Sequence, residues 1–434
     1  MKTSTSFAFR VVGLLLIVSL VAGAMTGSQL YYRLAYLWGL LLILSWAMSW
    51  LALRNLQVRR TARSLRSQVG FVYEERFEIR NTGRLPRLWI EMRDESDLPG
   101  QRGSHVLTMI GGHESRSYLS RTRLQERGVF SLGPTRLLSG DLFGIFPVQH
   151  VYESEDTLLV YPLIFDISTF PNLPGMLPGG EALRRRTPQI TSNAAGVRDY
   201  VSGDPLNRIH WVSTARRNRL IVKEFELDPL AEVWIFVDAY QGIHYAKPYE
   251  KVEYDPQEFW RKQSRYALPP ATIEYSVSIA ASLVRYYLQK GRAVGLVSSG
   301  QLLQVLPADR GGRQLGKILE SLALLRAEGN LPLQGLVEAQ ARNLPRGSTA
   351  ILITTSADKS QFQIADLLLR RGLRPVVVVL DTLTFGGYSS PDQIVAQLQF
   401  LGAPVCKVAY GDQLSETLSP LVNLPLVNLP QISQ

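Results

Sequence analysis

Polar side chains stand where three apolar runs end in the second half of the chain. Asp238 closes the run AEVWIFVD, Thr354 and Thr355 close TAILITT with Asp358 just beyond, and Asp381 closes PVVVVLD. If these runs are parallel strands, their carboxyl ends meet at one edge of a sheet, which is where such sheets bind ligands. These five residues are therefore the first candidates for a binding site.

A second segment, GGRQLGKI from Gly311 to Ile318, matches the GxxxxGK part of a phosphate-binding loop. The match fails at its last position, because Ile318 has no hydroxyl group for Mg²⁺. The preceding residues LPADR do not have the pattern of a strand that leads into such a loop. We predict no ATP binding here and expect Ile318 to lie on the core face of the following helix.

A third group consists of arginines on the apolar side of a short helix. Asp204 followed by Pro205 is a helix-start signal, and a helix over Pro205–Arg217 places Arg208 and Arg216 within its apolar stripe. An unpaired buried charge is very costly, so these two arginines need partners. One hypothesis is a structural latch, in which the helix packs on the following domain and its arginines pair with neighbouring carboxylates. Those available nearby are Asp199, Asp204, Glu224, Glu226 and Asp228.

The other hypothesis for the arginines is an anion-binding pocket built from Arg198, Arg208 and Arg216.

The cysteine and histidine residues indicate no further site. Cys406, the single cysteine, excludes an internal disulfide, and its position in the apolar run APVCKVAY predicts an inert buried thiol. The five histidines show no zinc-ligand spacing such as HExxH. We predict no cofactor.

Two uncharged apolar segments, Val11–Tyr32 and Leu34–Leu53, open the chain. Each is about 30 Å long as a helix, enough to cross a bilayer. Only Arg33 separates them, so the turn must use Thr26, Gly27 and Ser28. Basic residues precede the first segment and follow the second over Arg54–Arg66, which predicts a hairpin with both ends in the cytoplasm.

We therefore predict a multi-pass protein of the cell membrane whose bulk is cytoplasmic, with the lipid bilayer as one partner. An alternative interpretation is a signal peptide cleaved near Ala22-Gly-Ala24. Cleavage there leaves one span, and the large C-terminal part still ends in the cytoplasm.

The chain has 434 residues, too many for one compact domain. Residues 1–66 are assigned to the hairpin with its basic flank. Over residues 67–166, short runs alternate polar and apolar side chains between turns, which predicts an antiparallel β-sandwich-like domain. Residues 167–228 form a connector that contains the arginine helix, and the Pro- and Gly-rich part from Phe170 to Ala195 is expected to be irregular.

In residues 229–415, continuous apolar strands alternate with helical patterns, which predicts a doubly wound, mainly parallel sheet covered on both faces. Residues 416–434 repeat LVNLP twice and are expected to be an extended tail. The fold class is therefore α/β, with an N-terminal transmembrane helical hairpin, a β-sandwich-like domain and a doubly wound sheet.

The residues around the arginine helix also carry a family resemblance. With the two apolar segments, Arg127-Gly128, the DLFGIF stretch Asp141–Phe146 and Val160–Pro162, they resemble the domain-of-unknown-function 58 family, whose C-terminal region resembles a von Willebrand factor A domain. The motif residues are Gly196, Arg198, Tyr200, Gly203, Asp204, Arg208, Ile209, Trp211, Thr214, Ala215 and Arg216.

This resemblance implies a membrane-anchored protein without an established catalytic activity, from a family often encoded beside MoxR-type AAA+ ATPases. Metal-binding A domains hold Mg²⁺ with a D-x-S-x-S sequence after the first strand, together with a Thr and an Asp from later loops. Here Asp238 is followed by Ala239–Gly242, so both serines are missing. Only Asp238, Thr355 and Asp358 remain as weak metal candidates, and we predict no metal site.

The function expected from the sequence is that of a non-enzymatic adaptor or scaffold. It would present a cytoplasmic von Willebrand factor A-like domain to a protein partner, an AAA+ ATPase of MoxR type. The long segment Tyr240–Arg265 is rich in aromatic residues, which fits a protein contact and equally fits packing onto its own domain.

Three further functions were weighed. One is a Mg²⁺-dependent binding or hydrolytic protein that uses Asp238, and another is an anion-binding module that uses Arg198, Arg208 and Arg216. Nucleic-acid binding is not expected despite the net charge of +10, because neither a reading helix nor a basic sheet studded with aromatic residues is evident.

Overall fold

A computed structural model of the chain organises it into two units. The first comprises Met1–Pro162 with Lys251–Tyr266, and the second comprises Leu163–Glu250 with Ala267–Gln434. The structure describes residues 2–3, 6–100, 104–154, 156–170, 194–201, 209–225, 232–249 and 266–419.

Two long apolar helices open the first unit. Helix α1 covers Phe7–Thr26 and helix α2 covers Gln29–Ala52. Ser6 caps α1 by accepting a hydrogen bond from the Phe9 amide, and Gly27 ends it with a φ of 66°. The turn lies at Gly27-Ser28 as predicted, so Arg33 falls inside α2. Both helices are long and apolar enough to cross a membrane, a test of length and composition alone.

Short strands build the rest of the first unit. They are β1 (Lys2–Thr3), β2 (Leu56–Ala62), β3 (Arg66–Gln68), β4 (Val72–Asn81), β5 (Arg87–Asp94), β6 (Ser104–Ile110), β7 (Ser115–Arg123), β8 (Gly128–Ser131), β9 (Thr135–Ser139), β10 (Val148–Tyr152) and β11 (Thr157–Tyr161). Within the described residues they form the sheets β1-β10-β9-β5-β6, β2-β4-β7 and β3-β11-β8. All pairs are antiparallel except β3 with β11.

The core of this β-rich domain lies between two antiparallel sheets. Phe77 and Ile79 of β4 are fully buried and pack with Ile90 and Met92 of β5 in one apolar cluster. Buried and more exposed residues alternate along β4, and its buried face carries Tyr73, Phe77 and Ile79 together with the polar Glu75 and Asn81. Strand β2 uses residues of the basic flank, so the β-rich domain begins at Leu56, ahead of the boundary drawn from the sequence.

The second unit contains a short hairpin of β12 (Ala194–Asp199) and β13 (Ile221–Phe225), with helix α3 (Trp211–Arg217) between its strands. The predicted helix over Pro205–Arg217 is confirmed at Trp211–Arg217 and is wrong at Ile209 and His210. Ile209 forms a β-bridge with Val222, and His210 is the N-cap of α3. Strand pairing with the buried Val222 therefore takes precedence over the helical pattern at Ile209. Pro205 itself and most of the Pro- and Gly-rich connector lie outside the described residues.

A six-stranded sheet forms the body of the second unit. Its elements are β14 (Val233–Val237), α4 (Thr272–Gln289), β15 (Val294–Ser299), β16 (Leu303–Asp309), α5 (Gln314–Leu324), α6 (Leu333–Gln340), β17 (Thr349–Thr354), α7 (Ser360–Arg370), β18 (Arg374–Leu380), α8 (Asp392–Phe400), β19 (Val405–Val408) and α9 (Leu414–Thr417). The strand order is β16-β15-β14-β17-β18-β19, and every pair is parallel except β15 with β16.

Strands β14, β15, β17 and β18 of the sheet are buried on both faces, as their continuous apolar runs predict. Trp234 and Phe236 of β14 pack with α6, α7 and α8 in one cluster, and α4 lies against β14, β15 and β17. Successive side chains of a strand point to opposite faces, so Ile235 and Val237 face away from the first cluster and are fully buried as well. The doubly wound, mainly parallel sheet predicted from the sequence is thus present.

Strand β16 overturns one argument about the GGRQLGKI segment. The residues LPAD belong to this strand, which does lead into the loop before α5. The sequence concealed it because β16 is an edge strand without a fully buried face. One backbone amide of this loop is nevertheless already bound by an acidic side chain, since the Gly311 amide donates to the Asp309 carboxylate at 3.0 Å. Ile318 is fully buried, as expected.

Candidate functional site

The switch point of the six-stranded sheet lies between β14 and β17, where the chain's crossovers diverge to opposite sides. Asp238 follows β14, and Thr354 ends β17. Both side chains are buried. The Thr354 hydroxyl donates to Asp238 Oδ2 at 2.8 Å, and the Tyr240 amide donates to Asp238 Oδ1 at 3.2 Å. The carboxylate is therefore held by groups of its own domain.

Burial raises the pKa of the Asp238 carboxyl to about 6, and the hydrogen bonds from Thr354 and Tyr240 oppose this rise. Desolvation disfavours the ionised form of a carboxylic acid, whereas donors to the carboxylate favour it. A perturbed carboxyl at a switch point is a common feature of functional sites, but structural groups show the same perturbation. What surrounds Asp238 therefore decides its role.

The three weak metal candidates do not converge. Thr355 Oγ1 donates to the Ile243 carbonyl at 2.8 Å, and the Asp358 carboxylate accepts from the Ser356 hydroxyl at 3.1 Å. Asp238 turns to Thr354 instead. Among the residues that the structure describes, no group of three or more His, Cys, Asp or Glu side chains is placed to hold a metal ion.

A histidine that the sequence did not single out fixes the loop after β14. His244 Nε2 lies 3.0 Å from the Asp238 carbonyl, and its Nδ1 lies 3.0 Å from Thr272 Oγ1 at the start of α4. The Tyr245 amide also donates to Thr272 Oγ1. No spacing rule could reveal this role, because His244 acts through backbone and hydroxyl groups that are distant in sequence.

Farther along the same edge, a lysine joins two carboxylates. Lys407 Nζ lies 3.1 Å from Asp381 Oδ2 and 2.6 Å from Asp392 Oδ1. The hydrogen bond to Asp392 raises the pKa of Lys407, and the same bond lowers the pKa of the Asp392 carboxyl. Asp381 also caps the turn that follows it by accepting from the Leu383 amide. Asp381, a predicted site residue, is thus engaged within the domain.

A cluster of aromatic rings lies in the same domain. Tyr275, Phe385 and Tyr410 lie with ring centroids 4.9–6.2 Å apart, and the Lys247 ammonium lies 5.8 Å from the Tyr410 ring. We call the surface formed by the half-buried Tyr245 and the exposed Lys247, Tyr388 and Tyr410 the aromatic edge.

Tyr388 is the most prominent member of the aromatic edge, with 90% of its surface exposed. It meets Tyr245 edge-on at 6.2 Å. The preceding residue must be a glycine, because a Cβ atom on Gly387 would lie 2.8 Å from Thr382 Cβ and 2.9 Å from the Tyr245 ring. The close packing around Gly387 positions the exposed Tyr388 ring beside Tyr245. Exposed Tyr side chains are typical of protein contacts.

The aromatic insertion predicted from Tyr240 to Arg265 is described only in part. Its first residues are tied to the second unit, since Ala246 forms a β-bridge with Ala271 and the Lys247 amide donates to the Pro270 carbonyl. Tyr245 and Tyr249 belong to this part. Tyr254, Phe259 and Trp260 lie outside the described residues.

The motif residues that the structure describes lie on the β12–β13 hairpin and α3. Gly196 and Arg198 are on β12, and the Tyr200 amide donates to the Leu220 carbonyl just before β13. Thr214 of α3 accepts from the Ile221 amide through its hydroxyl at 3.1 Å. This bond fastens the helix to the hairpin. Gly203, Asp204 and Arg208 lie outside the described residues.

The predicted latch can be followed only at Arg216 and Asp199, because the side chains of Arg208, Asp204, Glu224, Glu226 and Asp228 are not among those that the structure describes. Arg216 is exposed, as are Trp211 and Ala215, and it makes no ion pair with a carboxylate that the structure describes. Asp199, one of the expected partners, pairs instead with Arg219 at 3.0 Å on the surface. The apolar stripe of the short helix is not covered by the described part of its own unit, since Trp211 is 66% exposed.

Comparison with known proteins finds a distant curated relative. The chain is 23% identical over 242 residues to the uncharacterized protein YeaD of Bacillus subtilis (strain 168), and the match covers 56% of this chain and 54% of that protein. The chain thus spans about half of the length of this relative.

Solved structures match only at very low similarity. A GH20 exo-β-N-acetylglucosaminidase from Vibrio harveyi gives a TM-score of 0.18 at 8% identity over 81% of both chains. A cycloisomaltooligosaccharide glucanotransferase from Paenibacillus sp. gives 0.17 at 10% identity over 81% of this chain and 52% of that one.

One family model matches this chain. It covers residues 196–254, which include the hairpin, α3, β14 and the loop after Asp238. All motif residues named above fall within this stretch, in agreement with the resemblance found in the sequence. Residues 196–254 therefore carry the signature of the family described as protein of unknown function DUF58.

Proposed function

We propose that this chain is a membrane-anchored, non-enzymatic adaptor whose C-terminal domain binds a protein partner through the aromatic edge. One observation carries the proposal. The polar groups at the carboxyl ends of the strands are engaged within the domain, whereas Tyr388 and Tyr410 at the same edge are exposed. An active site needs polar groups directed at a substrate, and a protein contact needs exposed aromatic anchors.

The second unit has features that support a von Willebrand factor A-like domain. Its strand order places the first strand of the sheet at the switch point, with an antiparallel strand at one edge. Asp238 follows that first strand, in the position from which the resemblance derives a metal ligand. The two serines that would complete such a site are Tyr240 and Gly242 here, which favours binding of a partner without a bridging Mg²⁺ ion.

Pairing between β1 and β10 supports a membrane hairpin. Lys2 and Thr3, ahead of α1, pair with Gln149 and Val148 of the β-rich domain. The chain therefore returns to the same side after α1 and α2, and the basic residues after α2 indicate that this side is cytoplasmic. Cleavage near Ala22-Gly-Ala24 would remove β1, so this pairing favours the uncleaved chain and a multi-pass anchor.

Reporter fusions test the membrane topology. A reporter after Gln434 should be active in the cytoplasm, and one inserted at Gly27 should report the opposite side. An extracytoplasmic C-terminus would contradict the proposed anchor, because the basic segment from Arg54 to Arg66 resists transfer across a membrane.

The partner that we propose is an AAA+ ATPase of MoxR type, on the strength of the family resemblance. Co-purification of the full chain from membranes in mild detergent, with partners identified by mass spectrometry, tests this. Tyr388→Ala should reduce recovery of the ATPase at least tenfold, since loss of a central aromatic anchor costs about 2 kcal/mol or more.

Phe400 provides the matched control for Tyr388. It is 95% exposed and lies at the end of α8. The chain there leads to the start of β19, so Phe400 lies toward the amino ends of the parallel strands, opposite the aromatic edge. Phe400→Ala should leave recovery unchanged. Equal recovery with both variants would remove the aromatic edge from the interface, and absence of any AAA+ ATPase with the wild-type chain would reject the partner.

A further inference from the structure

The loop between β9 and β10, Asp141–Phe146, contacts both apolar helices of the first unit. The Ser6 hydroxyl at the start of α1 donates to the Ile145 carbonyl at 2.8 Å. The Ser49 hydroxyl near the end of α2 donates to the Phe146 carbonyl at 2.6 Å. The rings of Phe9 and Phe146 lie 5.3 Å apart. The loop therefore sits where the first turn of α1 and the last turn of α2 meet.

A buried carboxylate makes this loop rigid. Asp141 accepts hydrogen bonds from the backbone amides of Phe143 at 3.0 Å, Ile145 at 3.1 Å and Phe146 at 2.7 Å. Gly144 takes a φ of 66°, a conformation that suits glycine. The loop conformation is thus set by its own backbone hydrogen bonds and by the two helices.

This rigid loop holds two large apolar side chains outward. Leu142 is 64% exposed and Phe143 is 58% exposed, whereas Ile145 is buried. Their exposure does not come from a lack of local order, because the Phe143 amide is itself bound by Asp141. Adjacent exposed apolar residues of this size mark a surface that meets an apolar environment.

The depth of the loop follows from its neighbours on α2. Ser49, which contacts it, lies between Trp46 and Trp50, whose rings stack at 6.5 Å and are both exposed. The Arg54 guanidinium lies 3.8 Å from the centroid of the Trp50 ring. Exposed Trp followed by a cation at a helix end is the arrangement expected at the boundary between lipid headgroups and acyl chains. The loop lies at that level.

We propose that Leu142 and Phe143 insert into the lipid bilayer at the boundary where α1 begins and α2 ends. They form a third membrane contact beside the hairpin. The proposal rests on the membrane anchor proposed above and adds to it. The hydrogen bonds of Ser6 and Ser49 hold the loop at the helix ends, and its insertion would add a contact that fixes how the β-rich domain lies on the bilayer.

Site-specific fluorescence tests this insertion with the full chain in lipid nanodiscs. Phe143→Cys and Leu142→Cys are each labelled with an environment-sensitive fluorophore, in a Cys406→Ser background that removes the one native thiol. Both labels should shift to the blue and be quenched by nitroxide attached to lipid, and aqueous iodide should quench them several-fold less than a label in water.

Phe71 is the matched control. It is also 58% exposed but precedes β4, whose other end, Asn81, pairs with Leu56 just after α2. At about 3.3 Å per residue, β4 places Phe71 roughly 30 Å from that end. A label at Phe71→Cys should respond to iodide and not to the lipid nitroxide. Identical behaviour of the labels at positions 71 and 143 would overturn the insertion.

A label in the middle of α2 separates failure of the loop from failure of the anchor. Leu40→Cys, at an exposed helix position, must be quenched by the lipid nitroxide if the hairpin crosses the bilayer. Quenching at position 40 without quenching at 143 rejects the loop contact alone, and quenching at neither rejects both proposals. A blue shift at 143 that needs two chains in one nanodisc would identify a second copy as the occupant and also reject the lipid contact.

Discussion

The Thr354 hydroxyl donates to the Asp238 carboxylate at 2.8 Å, and both side chains are buried across the switch point of the six-stranded sheet. Thr354 also accepts from the Ser356 amide at 3.1 Å, so one hydroxyl connects β14 to the loop after β17. The pair therefore orders the two loops that begin at the edge of the sheet. The residue that the resemblance suggests as a metal ligand has a structural role here.

The protonation of Asp238 predicts a change of stability with pH. Its folded-state pKa of about 6 lies above the ordinary value of 3.8, so the folded chain keeps this proton where the unfolded chain has lost it. The resulting stabilisation is complete below about pH 4 and is lost as the pH rises through about 6. Above that pH, the buried carboxylate costs on the order of 3 kcal/mol.

Asp238→Asn removes this titration while nearly keeping the shape of the side chain. We expect the stability of the variant relative to the wild type to rise by about 2 kcal/mol between about pH 4.5 and pH 7.5, because the wild type has already lost about 1 of the roughly 3 kcal/mol at pH 4.5. Denaturant unfolding of the full chain in detergent at both pH values measures this. Asp358→Asn, at an exposed side chain of the same edge, is the matched control. An equal difference between variant and wild type at both pH values would contradict the assigned protonation.

Magnesium binding is the second prediction. Because Thr355 and Asp358 turn away from Asp238 and toward Ile243 and Ser356, we expect no Mg²⁺ binding with a sub-millimolar Kd. Calorimetric titration of the full chain with Mg²⁺ checks this. Heat of binding that disappears in Asp238→Asn would revive the Mg²⁺-dependent hypothesis.

Sequence patterns located the strand ends of the second unit because a buried parallel strand is apolar along its whole length. They could not show which polar groups at those ends meet. Asp238, Thr355 and Asp358 follow the right strands, yet each side chain finds a different partner. Hydrogen-bond choice depends on distances of a few ångströms between loops, and spacing along the chain carries no such information.

The errors of prediction share one cause. Ile209 fits the helical stripe, and LPAD lacks a strand pattern, but both are placed by tertiary pairing with Val222 and β15. Edge strands and single bridges have no strong periodicity of their own. For the same reason, helix α3 starts at Trp211, after the bridge at Ile209.

The third prediction concerns the attachment of α3 to the hairpin. Thr214→Val removes the acceptor of the buried Ile221 amide, and an unsatisfied buried donor costs about 1–3 kcal/mol. We expect a corresponding loss of stability in denaturant unfolding, with Thr214→Ser restoring most of it. Arg216→Ala, at an exposed side chain, should change stability by less than about 0.5 kcal/mol. A large loss with Arg216→Ala would return support to the latch.

Arg60 gives the fourth prediction. In the sequence it belongs to the basic flank that orients the hairpin, but in the structure it is buried between two carboxylates. Its Nη2 lies 2.7 Å from Glu75 Oε1 and 3.2 Å from Asp94 Oδ2, and all three side chains are at most 8% exposed. Burial raises the pKa of the Glu75 carboxyl, and Arg60 opposes that rise. The arginine thus compensates two charges that β4 and β5 carry into the domain.

Arg60→Ala should therefore destabilise the β-rich domain by about 3–5 kcal/mol, because it leaves two buried carboxylates without this cation. Arg59 is the matched control, since the adjacent residue of β2 points to the other face and is exposed. Arg59→Ala removes the same charge from the basic flank and should cost less than about 0.5 kcal/mol. Unfolding of both variants in detergent, followed by far-ultraviolet circular dichroism, distinguishes them. Equal stability of the two variants would show that Arg60 acts only as a flanking charge. If reporter fusions showed a changed topology in both variants, the basic flank as a whole would orient the hairpin.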